Sequence, residues 1–243
     1  MRAMILAAGR GERLRPLTDL IPKPMVKVAG RELLLWHILR LKAAGIREIL
    51  VNSAWLADKI VDFLGDGSKW GVSITHSVEG PGGLETAGGI IHALHFFQNE
   101  AFLVVNGDTY MDADYAQFLK PNVVKGQALL FMTQNPAHNT QGDFYLDESG
   151  ALCKGISCRD SSSKGSSCTF SGAAIYSPHI FVGMQETRLP LRPVFEKLIA
   201  NKSLKGRMLQ GHWFDVGTLQ RLEDADTYAR SFNMDQFNFG EPT

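Results

Sequence analysis

Between residues 2 and 106 short apolar runs alternate with stretches whose apolar side chains recur every three or four positions. The runs at 2–7, 49–52, 72–77 and 102–106 read as strands, the last of them fully apolar before its closing Asn106. Between them, 32–44, 56–64 and 86–97 carry a helical period. In the first of these, Leu34, Leu35, Ile38, Leu39 and Leu41 share one face before Gly45 stops the helix. Alternation of this kind constrains the chain to an α/β fold: an open, mostly parallel sheet with helices on both sides, in the three-layer αβα, Rossmann-like manner.

Beyond residue 127 the pattern changes. A strand is expected at 127–133. Two antiparallel pieces at 143–146 and 152–156, joined through Asp147-Glu148-Ser149-Gly150, read as a hairpin forming a lid or a small side sheet. The serine-rich stretch between Cys158 and Cys168 reads as a mobile surface loop, followed by a strand at 169–176. Helices follow at 193–200, opened by Pro193, and at 219–229, with Thr218 as N-cap. Residues 1–229 form one domain in this reading, and 230–243 a polar tail, docked or disordered. No repeat period is visible.

The 243 residues, 44% of them hydrophobic, suffice for a substantial core. Basic and acidic residues number 25 each, which argues against a partner such as nucleic acid that demands many neutralised phosphates. The first apolar stretch is too short for a signal-peptide core, and no segment approaches a membrane span, so a cytoplasmic location is expected, with no membrane partner. Cys153, Cys158 and Cys168 are odd in number and lack a C-x-x-C pair; reduced thiols are expected.

Charge is nevertheless concentrated. Residues 1–30 hold Arg2, Arg10, Arg13, Arg15, Lys23 and Lys27 against only Glu12 and Asp19. The first strand runs directly into Ala8-Gly9-Arg10-Gly11-Glu12-Arg13-Leu14, where glycines let backbone amides approach a ligand and arginines supply charge, as a polyphosphate requires. Leu14 stands where a dinucleotide fingerprint needs its third glycine, and no G-K-[ST] follows, so the loop is a third kind of nucleotide loop. Pro22 and Pro24 bracket Lys23 and are expected to hold its backbone extended.

In open α/β sheets ligands bind beyond the carboxyl ends of the strands. Besides the opening loop, three segments qualify: 80–89, Asn106-Gly107-Asp108, and Trp213-Phe214-Asp215-Val216-Gly217-Thr218. Asp108 and Asp215, each closing a strand-like run, suit Mg²⁺, which takes a few carboxylates together with water and phosphate oxygens. The glycine-rich 80–89 segment runs into a helix start at which Glu85 or Thr86 could meet a base or ribose. None of the seven histidines shows a paired metal spacing, and none is given a catalytic role.

With those residues assembled, the chain resembles the sugar-1-phosphate nucleotidyltransferases over residues 1–228. Leu6-Ala7-Ala8-Gly9 with Arg10-Gly11-Glu12-Arg13-Leu14 and then Pro22-Lys23-Pro24 looks like the family's signature loop, and Asn106-Gly107-Asp108 and Asp215-Val216-Gly217-Thr218 look like its two metal positions. The resemblance implies a GT-A-like nucleotidyltransferase domain that joins UTP to a sugar 1-phosphate with Mg²⁺ and releases pyrophosphate, as a monomer or small homo-oligomer. Segments 84–89 and 211–215 are most similar to members that act on N-acetylmuramate 1-phosphate in bacterial cell-wall sugar recycling. Glucose, mannose or heptose phosphates with UTP, GTP or dTTP are the alternatives.

By the same resemblance Ala8, Gly9, Gly11, Glu85, Thr86, Gly88 and Asn106 would bind the nucleotide. Arg13 and Lys23 would be catalytic through the phosphates, Gly142, Ser171 and Gly172 would meet the sugar, and Asp108 with Asp215 would hold the metal. Arg159 or Lys154 could meet a lactyl carboxylate. Two rival readings stand beside this one: a metal-dependent glycosyltransferase, suggested by the D-x-D match at Asp112-Ala113-Asp114, and a silent sensor of nucleotide sugars.

Overall fold

Residues 1–154 and 165–231 are described by the computed structural model of the protein. In its first half the chain forms β1 (Ala3–Ala7), the short α1 (Leu17–Leu20), a small ribbon of β2 (Lys27–Val28) and β3 (Arg31–Glu32), and α2 (Leu33–Ala43). It continues through β4 (Glu48–Ser53), α3 (Ala57–Leu64), β5 (Ser73–Val78), α4 (Glu85–His92) and β6 (Phe102–Asn106). The second half adds β7 (Thr109–Asp112), β8 (Ala128–Thr133), β9 (Phe144–Asp147), β10 (Leu152–Cys153) and β11 (Gly165–Tyr176). It closes with α5 (Arg192–Ala200), β12 (Leu204–Met208), β13 (His212–Asp215) and α6 (Leu219–Ser231).

β5, β4, β1 and β6 lie side by side and parallel, with Ile5 opposite both Val51 and Val105. β11 pairs antiparallel to β6 and to β8, and β8 pairs parallel to β12, so the sheet is mixed but mostly parallel. The side chains obey the period of two that a pleated strand imposes. Ala3, Ile5, Ile49, Val51, Leu103 and Val105 face α2 and α3 in one core, whereas Met4, Leu50, Phe102, Val104, Leu130 and Ala174 turn to the other with α4 and α5. The expected three-layer αβα architecture is therefore present, and the amino half of β11 carries the β9–β10 hairpin as the antiparallel side sheet.

Several boundaries differ for identifiable reasons. The helix expected over 86–97 ends at His92, and Leu94–Phe97 tightens into a 3-10 turn. That turn lays Phe97 flat on Phe102, with ring centroids 3.8 Å apart. β7 and β12 were not anticipated, because Leu-Lys-Gly-Arg-Met is too polar to read as a strand and β7 follows β6 with only Gly107 and Asp108 between them. α6 continues to Ser231, two residues beyond the expected end, and the rest of the tail lies outside the described residues, as do Arg159 and most of the serine-rich loop.

The expectation of reduced thiols is corrected at Cys153, which is disulfide-bonded to a partner outside the described residues. An odd cysteine count argues only against complete pairing, and leaves room for one bonded pair beside a free thiol. Cys168 stays a free, buried thiol, and burial together with the nearby Asp143 carboxylate pushes it up to about 11. Among the described residues no helix is long and apolar enough to cross a membrane.

Candidate active site

The loop after β1 is shaped by one backbone conformation. Gly11 sits at φ +70, and a Cβ there would come within 3.0 Å of the Lys23 Cβ and 3.1 Å of the Thr18 Cγ2. Only glycine combines that left-handed geometry with so close an approach. Thr18, fully buried, donates its hydroxyl to the Gly11 carbonyl at 2.8 Å. Its own carbonyl accepts from Arg10 Nη1 at 3.0 Å and from Trp55 Nε1 at 2.9 Å, while the Arg10 guanidinium lies 3.4 Å from the centre of the Trp55 ring. The loop is thereby fastened to α1 and to the segment before α3. Arg13 is exposed on the 3-10 turn Glu12–Leu14, and Leu14 plugs the core beneath it.

Lys23 departs from its expected extended backbone. Residues Lys23–Met25 form a 3-10 turn, closed by Met25 N–H to Pro22 O at 2.8 Å and Val26 N–H to Lys23 O at 3.0 Å. Two backbone hydrogen bonds outweigh the local bias of a pre-proline residue towards extended geometry. The turn drives the lysine inwards, leaving it 6% exposed, and its Nζ donates to Asp108 Oδ2 at 2.6 Å.

A cavity of about 840 Å³ opens along this edge of the sheet, lined among others by Ala8, Gly9, Lys23, Glu85, Thr86, Asn106 and Asp108. Its far wall is held by a buried polar chain. Asn52 Oδ1 accepts from Ala7 N at 2.9 Å and Asn52 Nδ2 donates to Glu79 Oε1 at 2.7 Å, while Glu79 Oε2 accepts from Leu84 N at 2.7 Å. Glu85 opens α4 at φ +61 and pairs with Arg188 at 3.0 Å on the rim. Gly88 lies behind the wall rather than on it. Its amide donates to Leu189 O at 3.0 Å, and a Cβ would fall 2.3 Å from Thr187 O.

Asp108 and Asn106 also line a second cavity of about 350 Å³, with His138, Asn139, Asp143, Thr169, Ser171, Trp213 and Asp215. β13 pairs antiparallel with β7 so that Asp215 stands opposite Thr109, the residue after Asp108. That register unites two carboxylates 107 positions apart in the chain. Asp215 Oδ2 accepts from Arg221 Nη1 at 2.6 Å and lies 3.5 Å from His138 Nε2. Ser171 and Gly172 occupy a bulge in β11, with the Ser171 hydroxyl on Phe131 O at 2.6 Å and its carbonyl accepting from Trp213 Nε1 at 2.7 Å. Gly172 backs onto the Asn106 side chain, and Gly142 turns the chain beside Asn135 and Ser167; neither lines the cavity.

The D-x-D match has other employment. Asp112 accepts from Tyr228 Oη at 3.1 Å and Arg40 Nη2 at 3.4 Å, and Asp114 caps the 3-10 helix Tyr115–Leu119 through Ala116 N. The donor set that does face the cavities suits magnesium. Asp108 and Asp215 each engage Oδ2 with a cation and leave Oδ1 without a hydrogen-bond partner among the described residues. No group of three or more His, Cys, Asp or Glu there could hold a metal by itself. Two carboxylates completed by water and phosphate oxygens match the habit of Mg²⁺.

Sequence reasoning missed Asn52, Trp55, Glu79, His138, Asp143, Arg188 and Arg221. Glu79 stood within one residue of a segment already singled out, and Arg221 three residues beyond another. The others lie on elements that carry no local signal and reach the site only through folding.

A mostly parallel sheet with an amide-rich loop, a buried lysine and two carboxylates at its carboxyl edge is an α/β protein with its candidate site where such sheets bind ligands. The chain belongs to the nucleotidyl transferase family, whose profile matches residues 2–231. It is 46% identical over 233 residues to the N-acetylmuramate alpha-1-phosphate uridylyltransferase of Neisseria meningitidis serogroup B, covering 94% of this chain and 98% of that one. It is also 35% identical over 165 residues to the UTP–glucose-1-phosphate uridylyltransferase of Synechocystis, covering 63% of this chain and 42% of that longer relative. Among solved structures, a Bacillus anthracis protein in complex with sucrose superposes with a TM-score of 0.80 at 22% identity, covering 96% of both chains. HddC from Yersinia pseudotuberculosis, complexed with GMP-PN, gives 0.73 at 23%, covering 94% of this chain and 99% of that one. These two likenesses establish the fold.

Proposed function

We propose that this chain joins UTP to N-acetylmuramate 1-phosphate, forming UDP-N-acetylmuramate and pyrophosphate. The observation that carries the reaction type is the shared wall: Asn106 and Asp108 line both cavities, and Lys23 Nζ stands on Asp108 at 2.6 Å where they meet. A nucleoside triphosphate in the larger cavity and a sugar phosphate in the smaller would bring their phosphates together there. The 46% identity to the Neisseria enzyme supports uracil and this sugar.

An acceptor phosphate oxygen attacks the α-phosphorus in line. The new O–P bond forms as the bond from that phosphorus to the bridging β-oxygen breaks, and the electron pair leaves on pyrophosphate. The attacking group is already an anion at neutral pH, so no general base is required. In this assignment Ala8 and Gly9 present backbone groups to uracil, and Glu85, Thr86 and Asn106 line the nucleoside side. Gly88 acts indirectly, by docking α4 on residues 187–189. Gly11 and the exposed Arg13 line neither cavity, and would reach the β- and γ-phosphates from the loop beside Lys23, which neutralises charge on the reacting phosphates. Asp108 and Asp215 would hold Mg²⁺, which supplies further charge neutralisation and orientation when bound. Ser171 faces the sugar, with Gly142 and Gly172 shaping its surroundings. Use of UTP and a cell-wall sugar phosphate places the reaction in cytoplasmic recycling.

The test is pyrophosphate release from UTP with Mg²⁺ and a panel of sugar 1-phosphates. Release is expected with N-acetylmuramate 1-phosphate well above glucose, mannose and heptose phosphates. Preference for another sugar or another nucleotide would overturn the substrate assignment, and silence across the panel would remove the enzymatic reading.

A further inference from the structure

We infer that Arg221 is a built-in counter-charge on Asp215 that ties the entry of a divalent cation to the arrival of the nucleotide; this rests on the nucleotidyltransferase reading above. The guanidinium is held by construction. Nη1 donates to Asp215 Oδ2 at 2.6 Å and Nε to Thr218 Oγ1 at 3.3 Å. The two partners' side chains are only 16% and 23% exposed. Space for the guanidinium exists because residue 217 is glycine: a Cβ there would lie 2.3 Å from Arg221 Nη2. Gly217 and Thr218 thus serve Arg221, a role unconnected with helix capping alone.

The position is otherwise unfavourable for a cation. Arg221 lies in the first turn of α6, where the helix presents its positive end. Asp215 offsets that repulsion, and in return its own charge is neutralised. Asp108 is matched in the same way by Lys23, also at 2.6 Å. The remaining carboxylate lining the smaller cavity, Asp143, accepts from Phe170 N–H and Asn139 Nδ2 at 2.8 and 3.0 Å, neutral donors that leave its charge in place.

Asp108 and Asp215 are thus each paired with a cation at the place where a metal would sit, and Asp143 leaves that wall with a single negative charge, less than a divalent ion carries. A bare divalent ion entering there adds uncompensated positive charge. The same ion accompanied by a triphosphate brings net negative charge, which Lys23 and Arg221 oppose favourably. Lys23 lines the nucleotide cavity and can serve the phosphates directly. Arg221 lines neither cavity, so it acts through Asp215 as a positioning residue.

The experiment measures Mn²⁺ binding by electron paramagnetic resonance of the free ion, on the protein with and without UTP and with no sugar present. Arg221→Met should tighten Mn²⁺ binding to the protein alone by about tenfold and shrink the further gain on adding UTP. Gly217→Ala, whose Cβ would crowd the guanidinium at 2.3 Å and approach Asp215 Oδ1 to 3.0 Å, should shift both quantities in the same direction to a smaller extent, and Arg221→Lys should stay near wild type. Unchanged or weaker Mn²⁺ binding in both Arg221→Met and Gly217→Ala, each with a cooperative unfolding transition, would overturn the proposal. No turnover is needed for this readout, so failure of the pyrophosphate assay and failure of this inference are separately visible.

Discussion

Lys23 is a charged side chain at 6% exposure, tolerated because Asp108 compensates it at 2.6 Å. Burial removes competing water and fixes the amine, the two conditions under which a cation stabilises developing charge most. Lys23→Met should lower kcat about 100- to 1,000-fold. Its thermal midpoint should move little, since the Asp108 side chain is 37% exposed and can recover solvation. Steady-state kinetics beside a melting curve check both parts; a large loss of stability with near-normal kcat would assign the lysine to folding instead. That a lysine between two prolines matters was legible in the sequence, because the bracketing is unusual. Its 3-10 backbone was not, since the hydrogen bonds that select it involve neighbours on both sides.

At the scale of elements, the phosphate loop is clipped to α1 and to the approach of α3 around a single carbonyl, that of Thr18. The Arg10–Trp55 stack contributes about 0.5–2 kcal/mol and the indole hydrogen bond about 1 kcal/mol more. Trp55→Ala should raise the KM for UTP about five- to twentyfold, with kcat less affected, because the loop's mean position is loosened while Lys23 and Asp108 stay in place. Trp55→Phe keeps a ring face under Arg10 and should recover most of the loss. Equal KM values in all three proteins would show that the clip has no bearing on nucleotide binding. Here sequence reading reached only part of the way: Arg10 was visible as a phosphate-loop cation, but its commitment to Thr18, Asp19 and Trp55 depends on α3 arriving beside α1. The D-x-D match shows the converse, since a familiar pattern on β7 is consumed by Arg40, Tyr228 and a helix cap.

For the whole molecule, His37 links pH to stability. It is fully buried between Tyr115 Oη at 2.6 Å and Thr109 O at 2.8 Å. A carbonyl can only accept, so Nε2 carries the proton and Nδ1 accepts from the tyrosine hydroxyl. Burial, and then the like charge of Arg40, bring the ring down to about 4, despite the opposing pull of Thr109 O and Asp108. Between about pH 6.5 and 4 the unfolded chain binds a proton that the folded protein refuses, so stability should fall as pH drops through that window, by about 3 kcal/mol in all, and level off below it. Urea unfolding across this range, with His37→Gln as the flatter comparison, measures the slope. A folded-state ring that titrates near its ordinary value by NMR would contradict the assignment.

The apolar runs at β1, β4 and β6, the alternating run at β5 and the helical periods between them determined the α/β class unaided, because each strand's burial is written in its own composition. The glycine–arginine loop likewise announced phosphate, since backbone permissiveness and charge are local properties. Tertiary structure alone decided how Asp215 came to stand opposite Thr109 through the β7–β13 register, and how Gly217 made room for Arg221 behind it. It decided equally that Cys153 is bonded, that Glu79 anchors the cavity wall and that Asp112 is spent elsewhere. The physical reason is common to all of these: a carboxylate or thiol has no fixed role until its neighbours set which oxygen, sulfur or cation it meets, and those neighbours arrive from distant parts of the chain.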